Sequence, residues 1–216
     1  MAIRFCGHAL ELYAERALYW PTQSSLMLAD LHLGKGDAFR RAGLAVPSGG
    51  TALDLSRLRA LIQHTGAQRV CVLGDLLHGP LPSQAGWRQQ WDAFLADHAD
   101  IAFEAVLGNH DRALHGQSDF GRLRLLQEGH CMDGLLLRHH PPEPDDARPT
   151  LFGHLHPVLR LRQQGLPPRL PAFWQRATQL ALPAFSAFTG GWPITLQPGD
   201  RVWACTPAGV WALPQG

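Results

Sequence analysis

The sequence lacks several features that define other classes of protein. None of its apolar runs approaches the roughly 18 residues that a membrane-spanning helix needs, so no membrane partner is expected. The amino-terminal residues do not show the charged-then-apolar pattern of a secretory signal. The four cysteines are widely separated and form no CxxC pair, which favours buried thiols in a reducing compartment over a disulfide framework. We therefore expect a cytoplasmic protein.

Lysine and asparagine are also scarce, because the chain has one of each, Lys35 and Asn109, beside 18 arginines. The formal net charge of +1 argues neither for nor against a nucleic-acid partner. Arginine suits bidentate contact with phosphate, so a local surface for anionic ligands is one interpretation, and arginines that only solubilise exposed faces are the other. The chain of 216 residues is 45% hydrophobic and 17% charged, an ordinary globular composition. We predict a single domain over residues 1–216.

Polar side chains follow five apolar segments, each at the point where a predicted strand ends. Because loops at the carboxyl ends of such strands are where ligands bind, we expect these side chains to converge. The segments and their loops are Leu26–Ala29 before Asp30-Leu31-His32, Val70–Leu73 before Gly74-Asp75, Ile101–Leu107 before Gly108-Asn109-His110-Asp111, Leu135–Leu137 before His139-His140, and Leu151-Phe152 before Gly153-His154-Leu155-His156.

The remaining pattern predicts an α/β protein with two sheets packed face to face and helices outside. Residues 3–20 suit an opening hairpin or two short strands. A helix with Leu55, Leu58, Leu61 and Ile62 on its apolar face is expected between a cap at Ser48 or Thr51 and a stop at Gly66. Further helices are predicted around Trp87–Leu95 and over Phe120–Gln127, and strands over Val158–Arg162 and in the aromatic-rich region after about residue 165.

The residue types in these loops favour a metal-dependent hydrolase. Carboxylate, carboxamide and imidazole groups together indicate a site for a divalent ion such as Mn, Fe, Zn, Co or Ni, and not a site built from thiolates. Asp75 lies on a central predicted strand and is the natural residue to bridge two ions. Two ions roughly 3.5–4 Å apart would stabilise the attacking and leaving oxygens of an in-line phosphoryl displacement, and would supply hydroxide near neutral pH without a protein nucleophile.

Taken together, the Asp30-x-His32, Gly74-Asp75, Gly108-Asn109-His110-Asp111, His139 and Gly153-His154-x-His156 motifs resemble the calcineurin-like metallophosphoesterases. The resemblance implies a four-layer αββα sandwich of two mostly mixed sheets and a dinuclear site. Asp30, His32, Asp75 and His156 would hold one ion, and Asp75, Asn109, His139 and His154 the other. His110 would assist the leaving group or steady the transition state, with Asp111 orienting it. The family's ligand stands two residues before the proline, which selects His139 over His140 and leaves His140 beside the ligands or facing the substrate.

A narrower resemblance, to the bacterial ligase-associated DNA damage response endonucleases (the PdeM group), covers nearly the whole chain. It rests on Asp30-Leu31-His32-Leu33-Gly34-Lys35, on Phe39-Arg40, Gly43, Pro47 and Gly49, and on residues 182–191, where Ser186 replaces an expected glycine. It implies an Mn²⁺-dependent DNA endonuclease in DNA repair, with single-stranded or damaged DNA as substrate. Partners would be a DNA ligase, a helicase and an exonuclease-like protein, and a second copy of the chain in a homodimer.

Basic residues next to the first motif are candidate substrate contacts. We expect Lys35, Arg40 and Arg41 to hold the nucleic-acid backbone, with local contacts that order the loop as the alternative. The aromatic residues near the carboxyl terminus could stack on bases, although core or dimer interface is the default. The rival functions are a phosphodiesterase or phosphatase for small nucleotides, and a binding module without activity, which is disfavoured because no ligand is missing.

Overall fold

The computed structural model describes residues 1–79, 86–117, 119–160 and 169–214, which form two β-sheets and a helical layer. The first sheet contains β1 (Ala2–Phe5), β2 (His8–Tyr13), β3 (Ala17–Trp20), β4 (Ser25–Leu28), β5 (Arg69–Leu73), β6 (Ala102–Val106), β7 (Asp119–Phe120) and β8 (Leu123–Leu126). Its strand order is β1-β2-β3-β4-β5-β6-β8-β7. The helices are α1 (Lys35–Arg41), α2 (Gly50–Thr65) and α3 (Gly86–Asp97).

The first sheet is antiparallel at its edges and parallel at its centre. Strands β1 to β4 form antiparallel pairs, whereas β4, β5, β6 and β8 run parallel, with Val70 of β5 opposite Leu26 and Phe103. Parallel strands bring their carboxyl ends to one edge of a sheet. The loops after β4, β5 and β6 therefore meet at the same edge.

The second sheet contains β9 (His130–Met132), β10 (Leu135–Arg138), β11 (Thr150–Phe152), β12 (Pro157–Arg160), β13 (Arg169–Arg176), β14 (Gln179–Ala181), β15 (Trp192–Pro193), β16 (Arg201–Thr206) and β17 (Gly209–Ala212). Strands β10, β11 and β14 are parallel, and β13 is antiparallel to β12, β14 and β16. The short β15 runs parallel to β12. The predicted class, an α/β sandwich of two mixed sheets, is confirmed.

Two apolar layers hold the sandwich together. Between the sheets, Phe5, Leu12 and Met27 of the first meet Leu137 and Phe173 of the second, all fully buried. Between the first sheet and the helices, the buried side chains of α2 and α3 pack on β4, β5 and β6. Each such large apolar side chain contributes about 1.5–3 kcal/mol on burial.

The outer face of the second sheet is covered differently from that of the first. Its buried residues include Leu170 and Ala172, against which Trp174, Ile194 and Leu213 pack. In the described part of the chain, α2 and α3 pack on the first sheet and α1 lies beside them. No described helix covers the outer face of the second sheet, so the second helical layer of the αββα arrangement is not found among these residues. No described helix is long and apolar enough to cross a membrane.

Two local predictions differ from the structure, and a third lies partly outside the described residues. The predicted helix Phe120–Gln127 is wrong, because Leu123 and Leu126 pair with β6 as part of strand β8. The helix α2 begins after Gly49, whose φ of 87° is left-handed, without the predicted side-chain cap, although it ends at Gly66 as expected. The strand predicted to Arg162 is present over β12, and Arg162 lies outside the described residues.

Candidate metal centre

Backbone hydrogen bonds join the loops that follow β4 and β5. The N–H of Asp30 donates to the carbonyl of Gly74 at 3.1 Å, and that of His32 donates to the carbonyl of Asp75 at 2.8 Å. From the second sheet, the N–H of His154 donates to both carboxylate oxygens of Asp30, at 3.3 and 3.1 Å. The loops of both sheets are therefore held against each other by the chain itself.

Ten non-glycine residues of the described chain have a positive φ, and five of these are predicted metal ligands. The five have φ between 46° and 65° and are Asp30, His32, Asp75, His154 and His156. Such residues cost of order 1–3 kcal/mol each and persist only where the surrounding structure imposes them. Asp and His tolerate this conformation better than most side chains do. The strain is concentrated where the side chains must turn towards one point.

The first group of ligand atoms comes from Asp30, His32, Asp75 and His156, and all lie within 4.8 Å of one another. The Nε2 of His156 is 3.1 Å from Oδ1 of Asp30, and the Nε2 of His32 is 3.9 Å from Oδ2 of Asp75. Both ring nitrogens of His32 and the Nε2 of His156 are buried without a hydrogen-bond partner in the described structure. Buried polar atoms left in this way cost about 1–3 kcal/mol each, and a cation would satisfy those that face the carboxylates.

The second group is centred on the fully buried His139. Its Nδ1 lies 3.3 Å from the carbonyl oxygen of Leu73, which can only accept, so the proton is on Nδ1. The unprotonated Nε2 faces Oδ1 of Asn109 at 3.0 Å, Nδ1 of His154 at 3.0 Å and Oδ1 of Asp75 at 3.5 Å. Carboxylate, carboxamide and imidazole lone pairs thus converge, which fits a divalent cation.

Burial keeps these imidazoles in the form that binds metals. Desolvation, with the nearby charge of Lys35, lowers the pKa of His32 to about 2. Desolvation also outweighs the attraction of Asp30 and lowers the pKa of His139 to about 4. Both rings are therefore neutral at physiological pH, as a ligand must be.

Two glycines allow the loops to approach this closely. A Cβ on Gly74, whose φ is 78°, would lie 2.0 Å from Nδ1 of His139. A Cβ on Gly108 would lie 2.2 Å from Oδ1 and 2.4 Å from the backbone nitrogen of Asp75. The Gly74-Asp75 and Gly108-Asn109 pairs are thus steric requirements of the site.

A comparison with solved structures identifies the family. The crystal structure of Pseudomonas putida nuclease MPE superposes with a TM-score of 0.84, at 32% sequence identity over 99% of both chains. The chain belongs to the metallophosphoesterase family. The resemblance predicted from the motifs is confirmed.

More distant comparisons add little to this assignment. Yfce, a phosphoesterase from E. coli, is 17% identical over 86% of this chain and 90% of its own, with a TM-score of 0.43. No family model matches the sequence of this metallophosphoesterase. The comparison with curated proteins likewise finds no match.

Asp111 of the metallophosphoesterase motif braces the loops. Its Oδ1 accepts the N–H of Leu77 at 2.7 Å, and its Oδ2 accepts those of Gly108 at 2.8 Å and Leu76 at 3.2 Å. Burial raises the pKa of Asp111 to about 6, although these backbone donors oppose the shift. The predicted contact with the ring of His110 is not among the hydrogen bonds of the described residues, because the carboxylate is already occupied by the backbone.

His110 is held by other neighbours. Its N–H donates to Oδ1 of Asp75 at 2.9 Å, and its Nε2 lies 4.0 Å from Oδ2 of the same residue. Its ring stacks on His78 with 4.9 Å between centroids, and its side chain is 41% exposed. The ring is therefore beside the predicted bridging carboxylate and open to a substrate.

His139 and His140 both lie near the second group, because one ring nitrogen of each, together with one of His154, lies within 4.8 Å of the others. His139 is buried among the other lone pairs, whereas His140 has a side chain that is 48% exposed, with its ring centroid 4.9 Å from that of His154. Glu128 fixes both, because its carboxylate accepts the N–H of His139 at 3.0 Å and that of His140 at 3.1 Å. The geometry is consistent with the predicted assignment of His139 as ligand.

The three basic residues predicted to contact substrate occupy different environments. Lys35 is half-buried and donates to Oγ1 of Thr189 at 3.3 Å. Burial lowers its pKa, against the attraction of Asp30 and Asp75. Arg40 binds Asp37 and the carbonyl of Pro47, which is the local role left as the alternative. Arg41 is exposed and makes no ion pair with the described residues.

Sequence reasoning missed two residues at the site. Glu128 lies outside every motif, and its hydrogen bond to the backbone of His139 is a contact that the sequence does not reveal.

Arg112 directly follows the Gly108–Asp111 motif and lines two cavities, of about 810 and 570 Å³, that both reach Asn109. It is exposed and makes no ion pair within the described residues. Its place next to the motif was the signal available.

Proposed function

We propose that this metallophosphoesterase is a divalent-metal-dependent phosphodiesterase that cuts DNA. The observation that carries the proposal is the position of Asp75, whose two carboxylate oxygens face the two groups of lone-pair atoms. Oδ2 faces His32 and Oδ1 faces His139. A carboxylate so placed suits two ions, as the sequence predicted. The donor set fits Mn²⁺, with Fe, Zn, Co and Ni as the other candidates.

When bound, two divalent ions supply Lewis acidity that offsets the charge of a phosphodiester and makes water a nucleophile near neutral pH. The chain provides the remaining parts. His110 is an exposed imidazole beside Asp75 and in position to give a proton to the leaving oxygen. Lys35 lies close enough to Asp30 and Asp75 for their charges to influence its pKa, and it reaches the same region as a cation for the substrate phosphate.

Nucleic acid is the substrate that the surroundings favour. Both cavities lined by Arg112 reach Asn109 of the metal centre, and the larger one is also lined by the polar side chains of His115, Gln127 and His140. A free guanidinium there suits the phosphates that flank a cut site. The similar Pseudomonas protein is itself called a nuclease. We propose single-stranded or damaged DNA as the substrate and a role in DNA repair.

The partners implied by the sequence resemblance belong to the same proposal. They are a DNA ligase, a helicase and an exonuclease-like repair protein, together with a second copy of this chain. Co-purification of the tagged protein with these three activities from its own cells tests the first part, and sedimentation of the purified protein tests the second.

The decisive assay is nicking of circular single-stranded DNA by Mn²⁺-loaded protein, beside hydrolysis of bis(p-nitrophenyl) phosphate. Asp75→Asn should abolish both activities and reduce the number of Mn²⁺ ions bound in calorimetric titration. Asp92→Asn is the matched control, since it removes a half-exposed carboxylate whose ion pair among the described residues is with Arg88 on the same helix. If wild type hydrolyses the small diester but leaves the circle intact, the DNA assignment is wrong and small nucleotides become the substrate class.

A further inference from the structure

The aromatic residues near the carboxyl terminus are not all core residues. Phe185 and Trp203 are buried, as the default interpretation expected, whereas Trp192 is 75% exposed and Trp211 is 61% exposed. Exposed tryptophans are uncommon on surfaces that bind nothing, because so large an apolar ring gains free energy on burial. Each of the two therefore needs a separate explanation from its surroundings.

The backbone of Trp192 is hydrogen-bonded to the loop that carries the predicted ligand His156. The backbone N–H of Trp192 donates to the carbonyl oxygen of His156 at 3.0 Å. In β15, Trp192 lies opposite Pro157 of β12. The strand that leaves the His154–His156 loop thus carries Trp192 at its side. Trp211 lies on β17, which pairs only with β16 in the described sheet, and it has no such link to the ligand loop.

The ring of Trp192 lines a cavity of about 260 Å³. We call it the Trp192 pocket; its walls include Leu155, Pro157, Trp174, Arg176, Trp192 and Ile194. Leu155 stands between the predicted ligands His154 and His156, so one wall of the pocket is the ligand loop itself.

A buried carboxylate holds two other wall residues of the pocket, Trp174 and Arg176. The side chain of Asp200 is 2% exposed and accepts the indole N–H of Trp174 at 3.0 Å. It also accepts two bonds from the guanidinium of Arg176, at 2.9 and 2.8 Å, and that group lies 4.7 Å from the ring of Trp174. The charge of Arg176 is therefore neutralised within the wall. The pocket offers two indole rings and aliphatic side chains, which suit a flat, uncharged ring better than a phosphate.

We propose that the Trp192 pocket takes one unpaired base of the DNA strand, adjacent to the phosphate that is cut at the metal centre. Base stacking on an aromatic side chain tolerates any sequence, because every base has a π-face. A paired base cannot enter, so the pocket selects single-stranded over double-stranded DNA. The inference rests on the proposed nuclease function and names how that function distinguishes its substrate.

The test compares Trp192→Ala with the matched variant Trp211→Ala, since both remove an exposed indole. Fluorescence anisotropy measures the Kd of metal-free protein for a labelled single-stranded oligonucleotide and for one of the same length with a run of abasic sites. We expect Trp192→Ala to weaken binding of the ordinary oligonucleotide by about 10-fold or more. It should leave binding of the abasic one unchanged, and Trp211→Ala should bind both like wild type.

Two results would overturn the inference. One is a Trp192→Ala protein that binds the ordinary oligonucleotide as tightly as wild type, or that loses affinity equally for the abasic one. The other is a sedimentation coefficient that falls from dimer to monomer in Trp192→Ala alone, which would assign Trp192 to an interface between copies of this chain. The proposed function fails separately, if Mn²⁺-loaded wild type binds DNA through this pocket but does not cut it.

Discussion

Gly108→Ala is the substitution that tests most directly whether the loops approach as described. The new Cβ would stand 2.4 Å from the backbone nitrogen of Asp75, where an ordinary contact begins at 3.4 Å. The loop must therefore open by about 1 Å. Overpacking of this kind costs about 1–3 kcal/mol. In a chain of this length each kcal/mol lowers Tm by roughly 2–4 °C, so a decrease of about 2–12 °C is expected.

The same movement separates Asp75 from Asn109, two predicted ligands of one ion. Loss of the supports around a metal site typically costs 10- to 100-fold in affinity, so we expect Gly108→Ala to bind Mn²⁺ about 10- to 100-fold more weakly. Thermal unfolding by circular dichroism with and without Mn²⁺, and calorimetric titration with Mn²⁺, measure the two effects. Gly86→Ala is the control, because a Cβ at that helical position meets no atom of the described residues within 4 Å. A Gly108→Ala protein with wild-type Tm and Mn²⁺ affinity would refute the reasoning.

Three further predictions concern single side chains. His110→Asn should lower kcat on DNA by about 10²- to 10⁴-fold. It should lower kcat on a nitrophenyl diester far less, because nitrophenolate leaves without taking up a proton. Equal losses of kcat on both substrates would contradict the role of His110 as an acid. Lys35→Ala should raise KM for DNA and flatten its salt dependence, whereas Arg40→Ala, whose guanidinium is held by Asp37 and Pro47, should change neither. Burial alone would raise the pKa of Asp200, but hydrogen bonds from Arg176 and its neighbours outweigh it and lower the pKa. Urea unfolding should therefore show the full loss of stability in Asp200→Asn at pH 7. This loss should begin to shrink as the pH falls through about 4, where unfolded Asp200 takes up a proton, and should reach its minimum only below the lowered pKa of the folded carboxyl.

The convergence of the predicted ligands could be foreseen from the sequence because each motif is local. Each ligand follows an apolar strand, and parallel strands such as β4 and β5 deliver their loops to one edge whatever the rest of the fold does. Chemistry-bearing residues at strand ends therefore give a reliable signal.

The remaining errors come from contacts between distant residues. Leu123 and Leu126 are spaced like one face of a helix, and only pairing with β6 shows that they belong to a strand. The occupation of Asp111 by Leu76 and Leu77, more than thirty residues away, could not be anticipated from the motif that contains it. The exposure of individual tryptophans could not be predicted either, because nothing in the sequence distinguishes the exposed Trp192 from the buried Trp203.

The left-handed backbone of the ligand loops sets activity against stability at the same positions. At His156, with φ of 46°, the imidazole is needed for the metal, yet its Nε2 gains no hydrogen bond in the described structure and the backbone is strained. A glycine there would remove the ligand and relieve the strain together. An inactive His156→Gly protein that unfolds no more easily than the metal-free wild type is therefore within reach of one substitution. At this position the requirement for a metal ligand and the conformational preference of the backbone therefore oppose each other.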